Sequence, residues 1–224
     1  MRSAFGTVAR VTAPTASLGR VDARRNRARL VTAARELFAA RGVDVPTREV
    51  ARRAGVGVGT LYRHFPERDD LVDAVLEDAF AAFVAMAESA LAVPDAWTGF
   101  ASFLEEALLL HARNRAVREV VETRTHGRER ASAMRSRLRP LLAALVRRAQ
   151  DEGTLRADFT AEDLPLLFWA SDRIIDVAGG VAPEIWRRHL GFVLDGLRCD
   201  TARALAQPPL TEEQLRLVGA PKSS

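Results

Sequence analysis

Apolar positions recur every three or four residues along almost the whole chain, and no alternating strand-like run interrupts them, which predicts an all-α fold. Leu30, Ala34, Leu37, Phe38 and Arg41 share one face of a helix running from about Arg24 to Arg41, with Gly42 as its stop. A short helix is predicted over Thr47–Ala54, opened by Pro46, and Gly55 can take the left-handed conformation that ends it. A third, over Val58–His64, stops at Phe65-Pro66. Longer stripes predict helices over 69–92, 96–113, 115–126, 128–151, 161–178 and 183–200, with Pro140 as a kink point and one further turn near Glu212–Leu217. Residues 1–20 mix Ser, Thr, Gly, Pro and Ala without a period and read as a flexible arm. Four parts follow: an arm (1–20), a three-helix unit (21–68), a larger helical bundle (69–200) and a tail (201–224).

Residues 47–65, TREVARRAGVGVGTLYRHF, carry the sharpest local signal. Two short helices joined by a Gly-containing turn make a helix-turn-helix. Ala51 is small where the helices approach, Val56 plugs the corner between them, and Val50, Leu61 and Phe65 point toward the helix at 24–41. Val58, Gly59, Thr60, Tyr62, Arg63 and His64 are left on the outer face, where a DNA major groove would receive them. The same spacing also suits any three-helix cap on a bundle, so pattern alone leaves both readings open.

Charge shifts that balance. Residues 1–70 carry 14 Arg against 7 Asp and Glu, whereas the remainder carries 19 Lys and Arg against 22 acidic residues. A basic end on a mildly acidic body suits a polyanion, although solvated helix faces would show the same excess. Cys199 is the single cysteine, which excludes an internal disulfide and a cysteine-based zinc site and fits a reducing cytoplasm. No apolar run approaches the roughly 20 residues a membrane helix needs, and Glu88 closes the longest, Ala79–Ala87. Residues 1–20 also lack the apolar core of a signal peptide.

Within Arg24–Leu76 the detail exceeds a bare helix-turn-helix. The stretch AGVGVGTLYRHFPERDDL, Ala54–Leu71, resembles the signature A-G-V-x-x-x-T-[LIV]-Y-x-[HY]-F-x-x-[KR]-x-x-L of the tetracycline-repressor (TetR/AcrR) family of transcriptional regulators. The resemblance implies a helix-turn-helix on a larger helical domain that dimerises and senses a ligand. It implies Thr47 and Arg48 near the DNA, Arg48 reaching a guanine edge, and Thr60 on a base or phosphate. Tyr62, His64 and Arg68 would grip phosphates, and Arg63 either target. The family often opens the recognition helix with a polar residue; Gly57-Val58-Gly59 departs from that and leaves Val58 only apolar contact. Local alternatives stand beside these roles: His64 packing on Phe65, and Arg68 pairing with Asp69 or Asp70. For Arg24, Arg25 and Arg27, phosphate contact and a solvated face are equal readings. In the arm, Arg2, Arg10 and Arg20 would reach a minor groove or make no contact.

The rest of the chain offers no catalytic constellation. His64, His111, His126 and His189 lie far apart without metal-ligand spacing, and P-loop, G-x-S-x-G and strand-borne G-x-G-x-x-G motifs are missing, so no metal or cofactor is expected. Phe80, Phe83, Phe100, Phe103, Leu141 and Leu145 either fill a core or line an effector pocket with His111 as its polar contact, and the resemblance favours the pocket. Leu167, Phe168, Ser171, Ile174 and Ile175, with Trp186, Leu190, Val193 and Leu197, form two stripes wide enough to meet both their own chain and a twin. Asp172, Arg173 and Asp176 would pair across a two-fold axis, line the pocket or face water. The expected protein is a cytoplasmic, homodimeric, ligand-responsive repressor on a palindromic operator. A helical-bundle enzyme and a ligand-independent activator are the alternatives.

Overall fold

A computed structural model describes residues 15–123, 128–199 and 203–218. Positions 1–14 of the expected arm, including Arg2 and Arg10, lie outside these residues, as do 124–127, 200–202 and 219–224. The chain folds as α1 (Thr15–Arg41), α2 (Thr47–Ala54), α3 (Val58–His64), α4 (Arg68–Ala92), α5 (Ala96–Arg113), α6 (Arg115–Thr123), α7 (Arg128–Asp151), α8 (Leu164–Ala178), α9 (Ile185–Leu197) and α10 (Glu212–Val218). A 3-10 turn, Ala161–Asp163, leads into α8. No strand forms among the described residues; Leu155 and Arg198 make one isolated bridge.

One expectation is corrected at the start of the chain. Helix α1 begins at Thr15, so the helix reaches into the segment read as a flexible arm. Its early turns lack an apolar stripe, and periodicity therefore gives no sign of them. The later half does have one: Leu30, Ala33, Ala34 and Phe38 are buried against Val50, Ala51, Ala54, Leu61 and Phe65 of α2, α3 and the corner after them. At the end of α1, Gly42 takes a φ of 85° and its N–H donates to the Phe38 carbonyl at 2.8 Å.

Helices α4, α5 and α7 form the centre of the bundle, with α8 and α9 on the far side of α5. Phe80, Phe83, Phe100, Phe103, Leu104 and Leu108 are all buried there. Local chemistry fixes the helix ends: Glu67 and Asp70 make a reciprocal capping box at α4, and the Asp95 carboxylate accepts from the Thr98 N–H at 2.6 Å at α5. Arg148 on α7 donates to the Leu91 and Pro94 carbonyls, closing the corner between α4 and α5. Two connections lock the three-helix unit to the bundle. The Glu119 carboxylate on α6 accepts from the Val43 N–H at 2.8 Å, in space that a Cβ on Gly42 would occupy. Arg35 of α1 pairs with Asp78 of α4.

Candidate nucleic-acid interface

The α2–α3 turn is built by Gly55. Its φ of 65° lets its N–H reach the Arg52 carbonyl at 3.1 Å while the Val56 N–H reaches that of Ala51 at 3.0 Å. That closure sets α3 across α2, and Leu61 and Phe65 then bury against α1. Burying those two turns the opposite side of α3 to solvent. Val58 is 41% and Tyr62 50% exposed, Gly59 and Arg63 are exposed, and Thr60 and His64 are half-buried. A Cβ on Gly59 would meet nothing within 4 Å, so this surface is open to an approaching partner.

The start of α2 joins the same face. Thr47 Oγ1 and Tyr62 Oη share a hydrogen bond of 3.1 Å, which ties the two helices at the surface and orients the phenol. Arg48 beside it is exposed. Its neighbours on the flanks are engaged elsewhere: Arg41 pairs with Glu49 at 2.6 Å and Arg53 with Glu36 at 2.5 Å. The His64 ring stands 6.5 Å from that of Phe65, tilted by 54°.

Arg68 departs from the phosphate-gripping role. Its guanidinium turns inward, where Nη2 donates to the Val43 carbonyl and, at 2.9 Å, to that of Val45. The loop entering α2 has carbonyls that no helix satisfies, and an arginine at the first position of α4 reaches them. The Asp70 carboxylate accepts from the Glu67 N–H at 2.9 Å.

In the bundle, Phe80, Phe83, Phe100, Phe103 and Leu145 are core, with Phe100 edge-on to Phe159 at 5.8 Å; Leu141 is half-buried. His111 is buried, but it is engaged: Nδ1 lies 2.9 Å from both Asp172 carboxylate oxygens, and Phe83 and Phe168 flank the ring. Arg118 on α6 donates to the His111 carbonyl and, at 3.1 Å, to Asp176. Asp172 and Asp176 thus serve contacts within the protomer, while Arg173 is exposed. Among the described residues, no group of three or more His, Cys, Asp or Glu could hold a metal ion.

The two stripes expected to meet both their own chain and a twin divide between the core and the surface. Ser171, Trp186, Leu190 and Leu197 are buried inside their own chain, and Leu167, Phe168, Ile174, Ile175 and Val193 are half-buried. The apolar surface lies one helical position around, at Leu166, Val177 and Phe192, which are 40%, 65% and 63% exposed. Periodicity gave a stripe too wide for one face, and only packing against α5 decides which edge turns inward. Glu119 and Arg156 leave no local pattern in the sequence because each acts through a backbone group tens of residues away, and Arg118 because its carboxylate partner, Asp176, lies 58 residues on.

Comparison with known proteins adds a separate line of support. Residues 30–75 match the model for bacterial regulatory proteins of the tetR family, and residues 94–199 match the SbtR-like transcriptional regulator C-terminal domain. A TetR transcription regulatory protein from Mycobacterium vanbaalenii superposes with a TM-score of 0.53 at 32% identity, over 80% of this chain and 98% of that one. A TetR regulator from Streptomyces coelicolor does so with a TM-score of 0.51 at 26% identity, over 79% and 99%. RolR in complex with resorcinol shares the fold at 24% identity and a TM-score of 0.53, over 80% and 90%. An HTH-type transcriptional regulator of Staphylococcus aureus is 41% identical over 59 residues, 26% of this chain. That match spans about a third (32%) of the curated relative's length.

Proposed function

Because the chain belongs to the TetR family of transcriptional regulators, with a helix-turn-helix DNA-binding domain, we propose that it is a homodimeric, effector-released repressor of a palindromic operator. The observation that carries this reading is the joined surface of α2 and α3, where Thr47, Arg48, Val58, Gly59, Thr60, Tyr62, Arg63 and His64 lie on one side of the three-helix unit. In it, α3 enters a major groove with Val58 against an apolar base edge, Thr60 and Arg63 reach base or phosphate, and Arg48 reads a guanine with its planar fork. Tyr62, held by Thr47, and His64 fix register on the phosphates.

Two protomers are needed to present two recognition helices roughly 34–36 Å apart, in successive major grooves. The exposed Leu166, Val177 and Phe192 of α8 and α9 supply an apolar patch for a second copy, and a two-fold pair of such patches makes a four-helix interface. An effector among α4, α5 and α7 would favour a geometry in which the recognition helices no longer match the grooves. No helix among the described residues is long and apolar enough to cross a membrane, and a cytoplasmic setting suits a regulator of this kind.

A second reading, regulation without an effector, is favoured by the burial of Phe80, Phe83, Phe100, Phe103 and Leu145 in the protomer's own core. One experiment addresses both. Purified protein should retain a small set of genomic fragments sharing an inverted repeat, and compounds related to the neighbouring genes should release them. Retention without any shared repeat counts against the operator, and retention that no such compound relieves favours the second reading.

A further inference from the structure

The arginines around the three-helix unit divide into two sets. Arg35, Arg41 and Arg53 are matched by Asp78, Glu49 and Glu36, and Arg68 is turned inward onto carbonyls. Arg24, Arg25, Arg48 and Arg63 are exposed and have no ion pair or hydrogen bond among the described residues. Arg48 and Arg63 belong to the surface already described, whereas Arg24 and Arg25 stand on α1, upstream of the core residue Leu30. From Val21 to Arg29 no side chain is buried, and this stretch carries four arginines against the single Asp22. Its helix therefore contributes little to the core while displaying a dense positive charge.

Two contacts orient that stretch. The Arg27 guanidinium lies 5.1 Å from the centroid of the Phe65 ring, just after α3, and Arg29 donates to the Gly55 carbonyl at 3.4 Å, just before it. One turn of α1 thus spans both ends of the recognition helix. The other end of α1 sits under α6 through Gly42, Val43 and Glu119, while Arg27 borders a cleft that it shares with His64 and Phe65 and with Asp70 and Asp73 of α4, so Arg24 and Arg25 stand one turn beyond that cleft. At 1.5 Å per residue, Arg24 stands about 9 Å upstream of Leu30 along the helix axis.

We propose that the Arg24–Arg25 turn of α1 is a second DNA-contacting element, which holds backbone phosphates of duplex flanking the half-site entered by α3. This rests on the DNA-binding reading of α2 and α3. The partner is duplex phosphate: unmatched guanidinium groups on a preformed helix supply charge and hydrogen-bond donors without reading bases. The contact adds affinity on every sequence and leaves operator preference unchanged.

The test uses the full chain and a retained operator duplex in two lengths, one trimmed to its half-sites and one carrying ten further base pairs on each side. The probe for general affinity is a random-sequence duplex of the longer length. On long duplexes, Arg24→Ala/Arg25→Ala should flatten the slope of log affinity against log salt by about 0.9 per lost contact, or about 2 per protomer, equally for operator and random sequence. Trimming should weaken the wild type and leave the double variant unaffected, and Arg24→Lys/Arg25→Lys should keep most of the slope. An unchanged slope in the alanine variant overturns the proposal, as does a lysine variant as weak as the alanine one, or a wild type indifferent to trimming. If Tyr62→Ala still weakens binding in those cases, the α3 surface stands and only the α1 element falls. A wild type that holds no duplex would sink both.

Discussion

Arg68 and Tyr62 show how far a residue's type carries its role. Both belong to the quoted signature, yet only Tyr62 faces outward. Tyr62→Phe, which loses the bond to Thr47 and any phosphate contact, should weaken operator and random DNA alike in a binding titration. Arg48→Ala should cost about 1–3 kcal/mol on the operator and relax preference at one base pair per half-site. Equal losses on operator and random DNA would remove Arg48 from base reading. Arg68→Ala should behave differently again, leaving the Val43 and Val45 carbonyls without their donor. We expect a loss of about 1–3 kcal/mol in urea unfolding with the salt slope of binding intact; a flattened slope with unchanged stability would return Arg68 to the phosphates.

Acid should reach the tail through one carboxylate. The Asp158 carboxylate accepts from Arg156 Nε at 2.5 Å and Nη2 at 3.0 Å, and from the Leu205 N–H at 3.0 Å. The arginine's hydrogen bonds first, then that N–H, hold this carboxyl well below the ordinary carboxylate range. A depressed carboxylate contributes stability that is present above the unfolded value, about 3.9, and is lost only as pH falls through the lower folded one. The Leu205 amide should therefore stay protected from hydrogen exchange down to about pH 4. Asp158→Asn should lose that protection already at neutral pH; full protection in the variant would show that other contacts hold the tail.

Element by element, helices with a single apolar stripe were legible from the chain. Val58–His64 and Ala96–Arg113 fall where their spacing and stops put them. Two failures have physical causes. The early turns of α1 carry charge without a stripe, so periodicity is silent there. In α8 and α9 the stripe is wider than one contact, and sequence cannot tell the edge facing α5 from the edge facing solvent. The burial of Trp186 and Leu190 within their own chain changes which substitution should split the proposed dimer. Val177→Glu or Phe192→Glu should give folded monomers in sedimentation, since a charge would be buried unpaired at the interface. Trp186→Ala should instead destabilise the protomer itself, by about 3–5 kcal/mol. Dimers that survive both glutamates would put the interface elsewhere.

For the whole molecule, the polar contacts lie in series. Asp172 holds His111, Arg118 ties the His111 carbonyl to Asp176, and Glu119 next in the chain holds the loop that leads into α2. The sequence singles out His111, Asp172 and Asp176 as polar groups but not their pairing, because Asp172 meets His111 across 61 residues and Glu119 meets Val43 across 76. A displacement among α5, α6 and α8 would therefore reach the recognition surface through bonded groups. Trp97, Trp169 and Trp186 all lie outside the three-helix unit, so a compound that enters the bundle should change tryptophan emission without DNA present. It should also bind the operator complex more weakly, by the same factor by which it weakens operator binding. Equal affinity for free and operator-bound protein would contradict that linkage.

The most direct measurement is an equilibrium titration of the full chain against a retained inverted-repeat duplex and a random duplex of equal length, at fixed salt and with stoichiometry determined. Two protomers per inverted repeat, and an affinity at least about 10³-fold above that for random sequence, are expected of a regulator that reads DNA through Arg48 and α3. Equal affinities for the two duplexes, or a single protomer saturating the repeat, would contradict it.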